Sequence, residues 1–341
     1  MTDRVAALLV LGVLVTAAPA RAETHRWVDA RGVVNYSDRA PQPPGEPPVS
    51  VAVAAPAEPV STVAVAPAAP PAVVTPVTPS GPITLDELFE LTGTRRQLAG
   101  LTVRLAREFR PAKGQVSAAA EATIERIVAR TFQQDAILRG VREEFARGLD
   151  RPQLEAKLAW LRSPLGHRIA ALEMATAEPE HDRVLAEYGA RLKASPPSQR
   201  RIELIERLDW VSGASEVSAD VAAALSSSVT RAVALNTPAD RRASRRQVES
   251  QAEELRATAA DPMRKAAAIS MLYTYRALSD EELERYVEFE STAAGRWYNA
   301  LLRRALLTSL TRAFDETAQA IFTAVPPERW SRAAAGGAPP R

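Results

Sequence analysis

Glu290 is the residue of this chain whose setting most suggests a reaction. It stands in Phe289-Glu290-Ser291 within a helical pattern, and one glutamate can serve as the general acid of sugar cleavage. Two observations speak against that role. A related segment of the chain has Leu161 at the corresponding position, and a glutamate on a helix usually lies on a solvated face. We therefore predict no catalytic residue and expect a protein that is not an enzyme.

The histidines offer no metal site. His25, His167 and His181 lack the i, i+4 spacing of a helical zinc pair, and the chain contains no H-E-x-x-H. The motifs G-x-S-x-G, S-x-x-K and G-x-G-x-x-G and the phosphate-binding P-loop are also missing. The prediction is that the protein has no metal and no cofactor-binding residue.

Four arginines form a basic segment, in which Arg241, Arg242, Arg245 and Arg246 recur at helical spacing. Such a face could meet anionic lipid head groups at about 1 kcal/mol per arginine. Glu249, Glu253 and Glu254 follow, and intrahelical ion pairs with them favour a solvated face instead. A membrane surface stays an alternative partner. With a net charge of +2, the chain has no feature that calls for nucleic acid.

Aromatic residues and glycines in the helical part leave two interpretations open. Trp160, Phe289 and Trp297 either belong to the core, which is more usual at helical spacing, or line a groove between two helical units. Gly166 and Gly295 fall inside patterns typical of long helices, where glycine costs about 1 kcal/mol. A tight helix crossing or a bend is favoured there over the approach of a ligand.

A repeat organises this helical part. Residues 149–172 align without a gap with residues 278–301, 129 positions later. A second echo relates residues 83–93 to 203–213, and both segments end in Thr-Gly or Ser-Gly. We predict a duplicated helical-bundle body with unit 1 at residues 83–195 and unit 2 at residues 200–325. The tail at 326–341 is expected to be disordered.

Helix signals mark the ends of the elements. Thr84-x-x-Glu87 and Ser279-x-x-Glu282 are typical of capping boxes, and Gly148 of a C-cap. Thr237-Pro238 and Asp261-Pro262 have the pattern of an N-cap followed by a first-turn proline. Apolar residues between these signals recur every three or four positions, so the fold class is mainly all-α.

The first 22 residues resemble an export signal. Arg4 precedes an apolar run at residues 5–15, and Ala20-Arg21-Ala22 fits a cleavage site. The run is shorter than the roughly 20 residues that span a bilayer. We expect cleavage near Ala22 and a periplasmic or secreted protein, with an uncleaved anchor as the alternative. The chain has no cysteine, which excludes disulfides and thiolate sites.

A small β module and a linker precede the helices. Alternation within residues 24–38 predicts two antiparallel strands, Asp29 to Gly32 predicts the turn between them, and residues 49–53 are the natural third strand. The module is placed at residues 23–53. Thirteen of the 26 prolines fall in residues 41–82, so residues 54–82 are expected to form a disordered Pro/Ala/Val-rich linker.

Two families of unknown function resemble parts of the chain. Trp27-Val28-Asp29, Gly32 and Tyr36-Ser37-Asp38, with a proline cluster behind, look like domain of unknown function 4124, a module of proteobacterial envelope proteins. Residues 158–166 and the opening residues 88–93 are similar to domain of unknown function 2059, an exported helical family, more weakly in unit 2. These resemblances imply export and fold, and they carry over no catalytic residue.

The combined features predict a bacterial envelope protein with a non-catalytic binding or adaptor role. Its partner would be an envelope protein or a cell-wall polymer. The alternative is a peptidoglycan hydrolase or a helper of one, with Glu290 as its acid. No feature of the sequence indicates an oligomeric state.

Overall fold

The computed structural model describes residues 25–28, 34–37, 83–177 and 181–330, with side chains at 83–177 and 183–330. These residues fall into two compact units, a strand pair and a helical body. In the strand pair, β1 (His25–Val28) runs antiparallel to β2 (Val34–Ser37), with Trp27 opposite Asn35. The expected turn, third strand, signal residues and linker lie outside the described residues.

The described body consists of helices, which confirms the mainly all-α prediction for this part. Its α-helices are α1 (Leu85–Leu91), α2 (Thr94–Arg107), α3 (Ala118–Thr131), α4 (Gln134–Arg147), α5 (Arg151–Arg162), α6 (Pro164–Thr176), α7 (His181–Ala194), α8 (Gln199–Ser212), α9 (Ala214–Leu235), α10 (Arg245–Thr274), α11 (Asp280–Glu290) and α12 (Ala293–Ala324). Short 3-10 turns occupy Ala239–Arg241 and Pro327–Arg329.

Several predicted caps lie where the helices begin and end. Thr84 caps α1 by accepting a hydrogen bond from the backbone N–H of Glu87, and Ser279 caps α11 with the reciprocal bond from Glu282 that completes a capping box. Gly148 is the C-cap of α4. Glu87 is not part of a reciprocal box, because its carboxylate accepts a bidentate hydrogen bond from Arg162.

The two proline pairs do not start α-helices. Pro238 precedes only the 3-10 turn, and the next α-helix begins after Ser244, whose capping box with Gln247 is complete. Pro262 lies inside α10, which continues through it. Packing explains this exception, since Ala259 on the preceding turn of α10 is fully buried and Arg256 pairs with the buried Asp220 of α9 at 2.7 Å.

Two glycines of the echoed segments share one backbone conformation. Gly93 follows α1 and Gly213 follows α8, and their φ angles are +63° and +67°. Glycine adopts this left-handed region without the steric cost that a Cβ brings. Each glycine therefore ends one helix and lets the next begin at once, α2 at Thr94 and α9 at Ala214.

The core does not divide at residues 195–200, where the two predicted units meet. α12 packs against α3, α4, α5 and α9, and its Phe314 contacts Phe109 and stacks on Phe132. A second, smaller cluster joins α6 to α8, α10 and α11. Helices from both halves of the body therefore share each cluster of buried side chains.

The start of the expected disordered tail is ordered. Trp330 is 5% exposed, stacks on Phe322 at 5.1 Å and donates a hydrogen bond to the carbonyl of Val325. The prediction for residues 326–341 is therefore wrong for 326–330, because an indole finds a buried apolar partner there. Residues 331–341 lie outside the described part.

Candidate functional site

Two corners between successive helices are built alike. In the first, α5 ends at Arg162 and α6 starts at Pro164, with Ser163 between them; in the second, α11 ends at Glu290 and α12 starts at Ala293. Ser163 and Thr292 each accept a hydrogen bond from a glycine N–H three residues later, Gly166 and Gly295. The segments expected to be helix interiors are thus corners between helices, and the serine and threonine are N-caps.

The glycines allow each corner to close. A Cβ added to Gly166 would lie 2.1 Å from the carbonyl oxygen of Trp160, and one added to Gly295 would lie 2.5 Å from the Cα of Glu290. Both contacts are with backbone, which cannot move aside as the tip of a side chain can. The packing interpretation of these glycines is therefore supported by the geometry at both corners.

The corners meet through aromatic rings. The indole of Trp160 stacks on the ring of Phe289 with centroids 4.4 Å apart and planes within 4°. Trp160 also lies parallel to Tyr286 at 6.4 Å, and the ammonium of Lys157 lies 5.0 Å from the centroid of Phe289. Tyr286 corresponds to Lys157 in the aligned segments, and Phe289 corresponds to Trp160, each 129 positions later. The contact of Trp160 with Tyr286 is therefore the counterpart of the contact of Phe289 with Lys157.

Two hydrogen bonds between the aligned segments are also counterparts of each other. Arg168 on α6 donates to the carbonyl of Ala277, ahead of α11, and Trp297 on α12 donates to the carbonyl of Gly148, ahead of α5, at 3.1 Å. Arg168 and Trp297 are 129 positions apart, and so are Gly148 and Ala277. In a two-fold, self-complementary interface, every contact between two residues is repeated by the two residues that correspond to them in the other copy. These two hydrogen bonds follow that pattern.

A buried ion pair lies beside this ring stack. Lys157 is 4% exposed and Glu290 is 2% exposed, and their ammonium and carboxylate are 2.8 Å apart. The second oxygen of Glu290 accepts a hydrogen bond from the side-chain amide of Asn299 at 2.9 Å. Lys157 also lies 4.4 Å from the ring centroid of Tyr298, which gives its charge an aromatic face. Glu290 is thus not on a solvated face, and both of its oxygens have partners.

A second carboxylate, Glu173 on α6, binds two phenols. One of its oxygens accepts hydrogen bonds from the hydroxyls of Tyr275 at 2.7 Å and Tyr286 at 2.8 Å. Burial raises the pKa of Glu173 above its usual range, and the two phenol hydrogen bonds and the charge of Lys157 offset only part of that rise. Burial, with the adjacent negative charge of Glu173, holds the pKa of both tyrosines well above their ordinary value.

Tyr298 on α12 extends the polar cluster towards α1. Burial raises the pKa of its hydroxyl, and the side chains of Thr92 and Thr94, which hydrogen-bond to it, lower it in part. Thr92 and Thr94 are themselves 2.7 Å apart. Tyr298 therefore contacts the ion pair with its ring and the start of α2 with its hydroxyl.

The arrangement joins elements rather than presenting a reactive group. The cluster is formed by side chains of α5, α6, α11 and α12 and by the C-cap residue of α10, namely Lys157, Glu173, Tyr286, Glu290, Tyr298, Asn299 and Tyr275. Their charges and hydroxyls bind one another, with the indole of Trp160 and the ring of Phe289 beside them. Trp160, Phe289 and Trp297 are each partly buried and contact the opposite corner.

One of the three histidines has a described side chain. His167 is exposed on α6, and the side chains of His25 and His181 lie outside the described residues. Within the described ranges no three histidine or acidic side chains are grouped so as to hold a metal ion. None of the helices described is long and apolar enough to cross a bilayer.

Sequence reasoning missed Lys157, Glu173 and Asn299. A signal for the first was present: Lys157 occupies a core position in the apolar series of Leu154, Leu158 and Leu161, where a charged residue needs a partner. Glu290 occupies the corresponding kind of position after Leu283 and Val287. Two opposite charges at core positions of equivalent helices are the pattern that predicts a buried pair.

The basic segment is not one helical face. Arg241 belongs to the 3-10 turn, Arg242 follows it, and only Arg245 and Arg246 lie on α10. Of the three glutamates expected to absorb part of their charge, Glu249 pairs with Arg245 at 2.7 Å, whereas Glu253 lies near Arg256. The prediction that the four arginines form one helical face is therefore wrong, because α10 starts three residues after Arg242.

Comparison with known proteins matches the N-terminal part of the chain to a family model. Residues 11–79 match the family model described as Domain of unknown function (DUF4124), which confirms the resemblance seen in the Trp-Val-Asp and Tyr-Ser-Asp motifs. The match covers a minority of the chain and none of the described helices. The resemblance of the body to domain of unknown function 2059 stays a prediction. No curated protein and no solved structure matches the chain.

Proposed function

We propose that this protein is an exported component of a bacterial envelope with a non-catalytic binding or adaptor role. In this account the helical body is a rigid platform, and the residues that first suggested chemistry maintain its shape. The N-terminal module would be joined to the body by the proline-rich linker and would contact a second molecule or surface. The partner is an envelope protein or a cell-wall polymer.

One observation carries the non-catalytic part of the proposal: Glu290 is the buried partner of Lys157. A general acid must reach the bond that it protonates. Glu290 is 2% exposed, one of its oxygens is bound by an ammonium, and the other accepts from Asn299. Opening this pair would leave a buried charge uncompensated, which costs about 3–5 kcal/mol. The geometry therefore favours a carboxylate that stabilises the fold.

Export is supported by the first 22 residues. The short apolar run, the small residues before position 23 and the absence of cysteine agree with secretion of a chain that has no disulfide. The linker at residues 54–82 is long enough for the two folded parts of the protein to contact different molecules or surfaces.

We also propose that the two helix corners descend from one duplicated unit. The exchanged contacts of Trp160 with Phe289 and of Arg168 and Trp297 with opposite carbonyls support this origin. Lys157 stands opposite Tyr286 in the alignment and Leu161 opposite Glu290, so the ion pair belongs to the duplicated form alone.

Incubation of the purified protein with isolated sacculi tests the non-catalytic claim. We expect no release of muropeptides above that of the Glu290→Gln variant. Thermal unfolding of both proteins serves as the control that the variant is folded. Release of muropeptides by the wild type, lost in a folded Glu290→Gln variant, would instead establish the hydrolase alternative.

A further inference from the structure

The turn between α9 and α10 presents a basic and apolar tip, which we define as Leu235, Pro238, Ala239, Arg241, Arg242, Arg245 and Arg246. Leu235 ends α9 and is 61% exposed, one of the few large hydrophobic residues of the described body with such exposure. Pro238 and Ala239 are exposed too. α9 and α10 are joined side by side through Asp220 and Arg256, so the turn lies at the end of a helical hairpin.

The charge of the tip is not neutralised. Arg241 is 3.9 Å from Asp240, and Arg245 pairs with Glu249. Arg242 donates only to the backbone carbonyl of Thr237, at 3.4 Å, and Arg246 is exposed without a partner among the described residues. Four guanidinium groups thus face two carboxylates, and the excess positive charge lies beside exposed apolar side chains.

We propose that this tip docks on a membrane surface that carries anionic phospholipid head groups. Arginine binds phosphate through several donors at once, and its stem lets the charged end stay at head-group level while neighbouring apolar groups enter the acyl boundary. Leu235, Pro238 and Ala239 supply that apolar part. An acidic protein surface would match the arginines as well, and binding to phospholipid vesicles in the absence of any other protein distinguishes the two occupants. The inference rests on the proposed export, which brings the tip beside a bilayer.

Sedimentation with phosphatidylcholine vesicles, with and without phosphatidylglycerol, tests the docking. The wild-type protein is expected to bind only vesicles that contain phosphatidylglycerol, with affinity that falls as salt is raised. An arginine near such a surface contributes about fivefold in affinity, so Arg242→Gln combined with Arg246→Gln predicts a loss of about 25-fold. The matched control is Arg126→Gln with Arg130→Gln, which removes two exposed arginines of α3.

Leu235→Ser separates the apolar part from the charge. Because Leu235 is exposed in the free protein, the fold is expected to survive, and vesicle affinity falls about tenfold with its salt dependence unchanged. Equal binding to both kinds of vesicle, or an equal loss in the two arginine double variants, would overturn the inference. Since the assay contains only protein and lipid, its failure leaves the proposed adaptor role to be judged by crosslinking in cells.

Discussion

Trp160 stacks on Phe289, the residue 129 positions later that corresponds to it in the aligned segment, with ring centroids 4.4 Å apart. Two corresponding residues can meet in this way only near the axis that relates their segments. The hydrogen bonds of Arg168 and Trp297 to opposite backbone carbonyls lie on either side of the same axis. The conspicuous aromatic residues thus join two equivalent helix corners to each other.

The Lys157–Glu290 pair predicts a non-additive effect on stability. Lys157→Met or Glu290→Leu alone leaves one buried charge without its partner, so each is expected to lower the free energy of unfolding by about 3 kcal/mol or more. The double variant removes both charges and is expected to recover at least about half of that loss. Urea unfolding of the four proteins measures the coupling.

Arg151→Gln is the control for the ion pair, since Arg151 and Glu155 form an exposed pair at 3.2 Å that is worth less than about 1 kcal/mol. If the double Lys157/Glu290 variant were as unstable as the sum of the two single variants, the pair would not be acting as a unit.

The corner glycines predict an unusual cost for alanine. Gly166→Ala and Gly295→Ala each place a Cβ against backbone at 2.1 and 2.5 Å, so each is expected to lower the free energy of unfolding by about 2 kcal/mol or more. Gly189→Ala is the matched control. Its Cβ would meet only the side chain of Ile269, whose nearest atom is Cδ1 at 3.3 Å, and alanine is the better helix former. This variant is therefore expected to be neutral or more stable. Equal effects at the three positions in thermal unfolding would argue against the close corners.

Much of this architecture could be predicted from local signals. The cap at Ser279, the left-handed Gly93 and Gly213 that end two corresponding helices, and the alignment of residues 149–172 with 278–301 are written in short stretches of sequence. The continuation of α10 through Pro262 could not be predicted in this way, because it depends on the burial of Ala259 and on the ion pair of Arg256 with Asp220 of α9. The burial of Glu290 was missed for a similar reason: its partner, Lys157, is 133 residues away.

Glu173 predicts a pH dependence of stability. Its pKa in the folded protein is raised above the 4.5 of an exposed glutamate, so the folded state holds the proton more tightly. The stabilisation associated with this proton is complete below about pH 4.5 and is lost as the pH rises through the folded-state pKa. Relative to Glu173→Gln, the wild-type protein is therefore expected to lose stability as the pH rises from about 4.5.

Unfolding by urea at a series of pH values measures this difference. The exposed Glu143→Gln is the control for the loss of a surface carboxylate. A flat difference for Glu173→Gln would show that the carboxylate held by Tyr275 and Tyr286 keeps the same proton affinity in both states.

The signal prediction concerns the N-terminus of the protein in cells. Expressed in a bacterium with its own leader, the chain is expected to be recovered from the envelope beginning at Glu23, because Ala20 and Ala22 present the small side chains that signal peptidase accepts. Intact mass and N-terminal sequencing measure this. Ala22→Leu is expected to block the cleavage, whereas a wild-type chain that keeps its first 22 residues would support the uncleaved anchor.

The binding role itself is tested most directly by crosslinking the tagged protein in living cells and identifying the adducts by mass spectrometry. We expect a discrete adduct with one envelope protein, or recovery on the sacculus without release of muropeptides, in equal amounts for the wild type and a folded Glu290→Gln variant, since Glu290 is buried in the fold. Recovery of the protein only on the sacculus, together with release of muropeptides that requires Glu290, would contradict it.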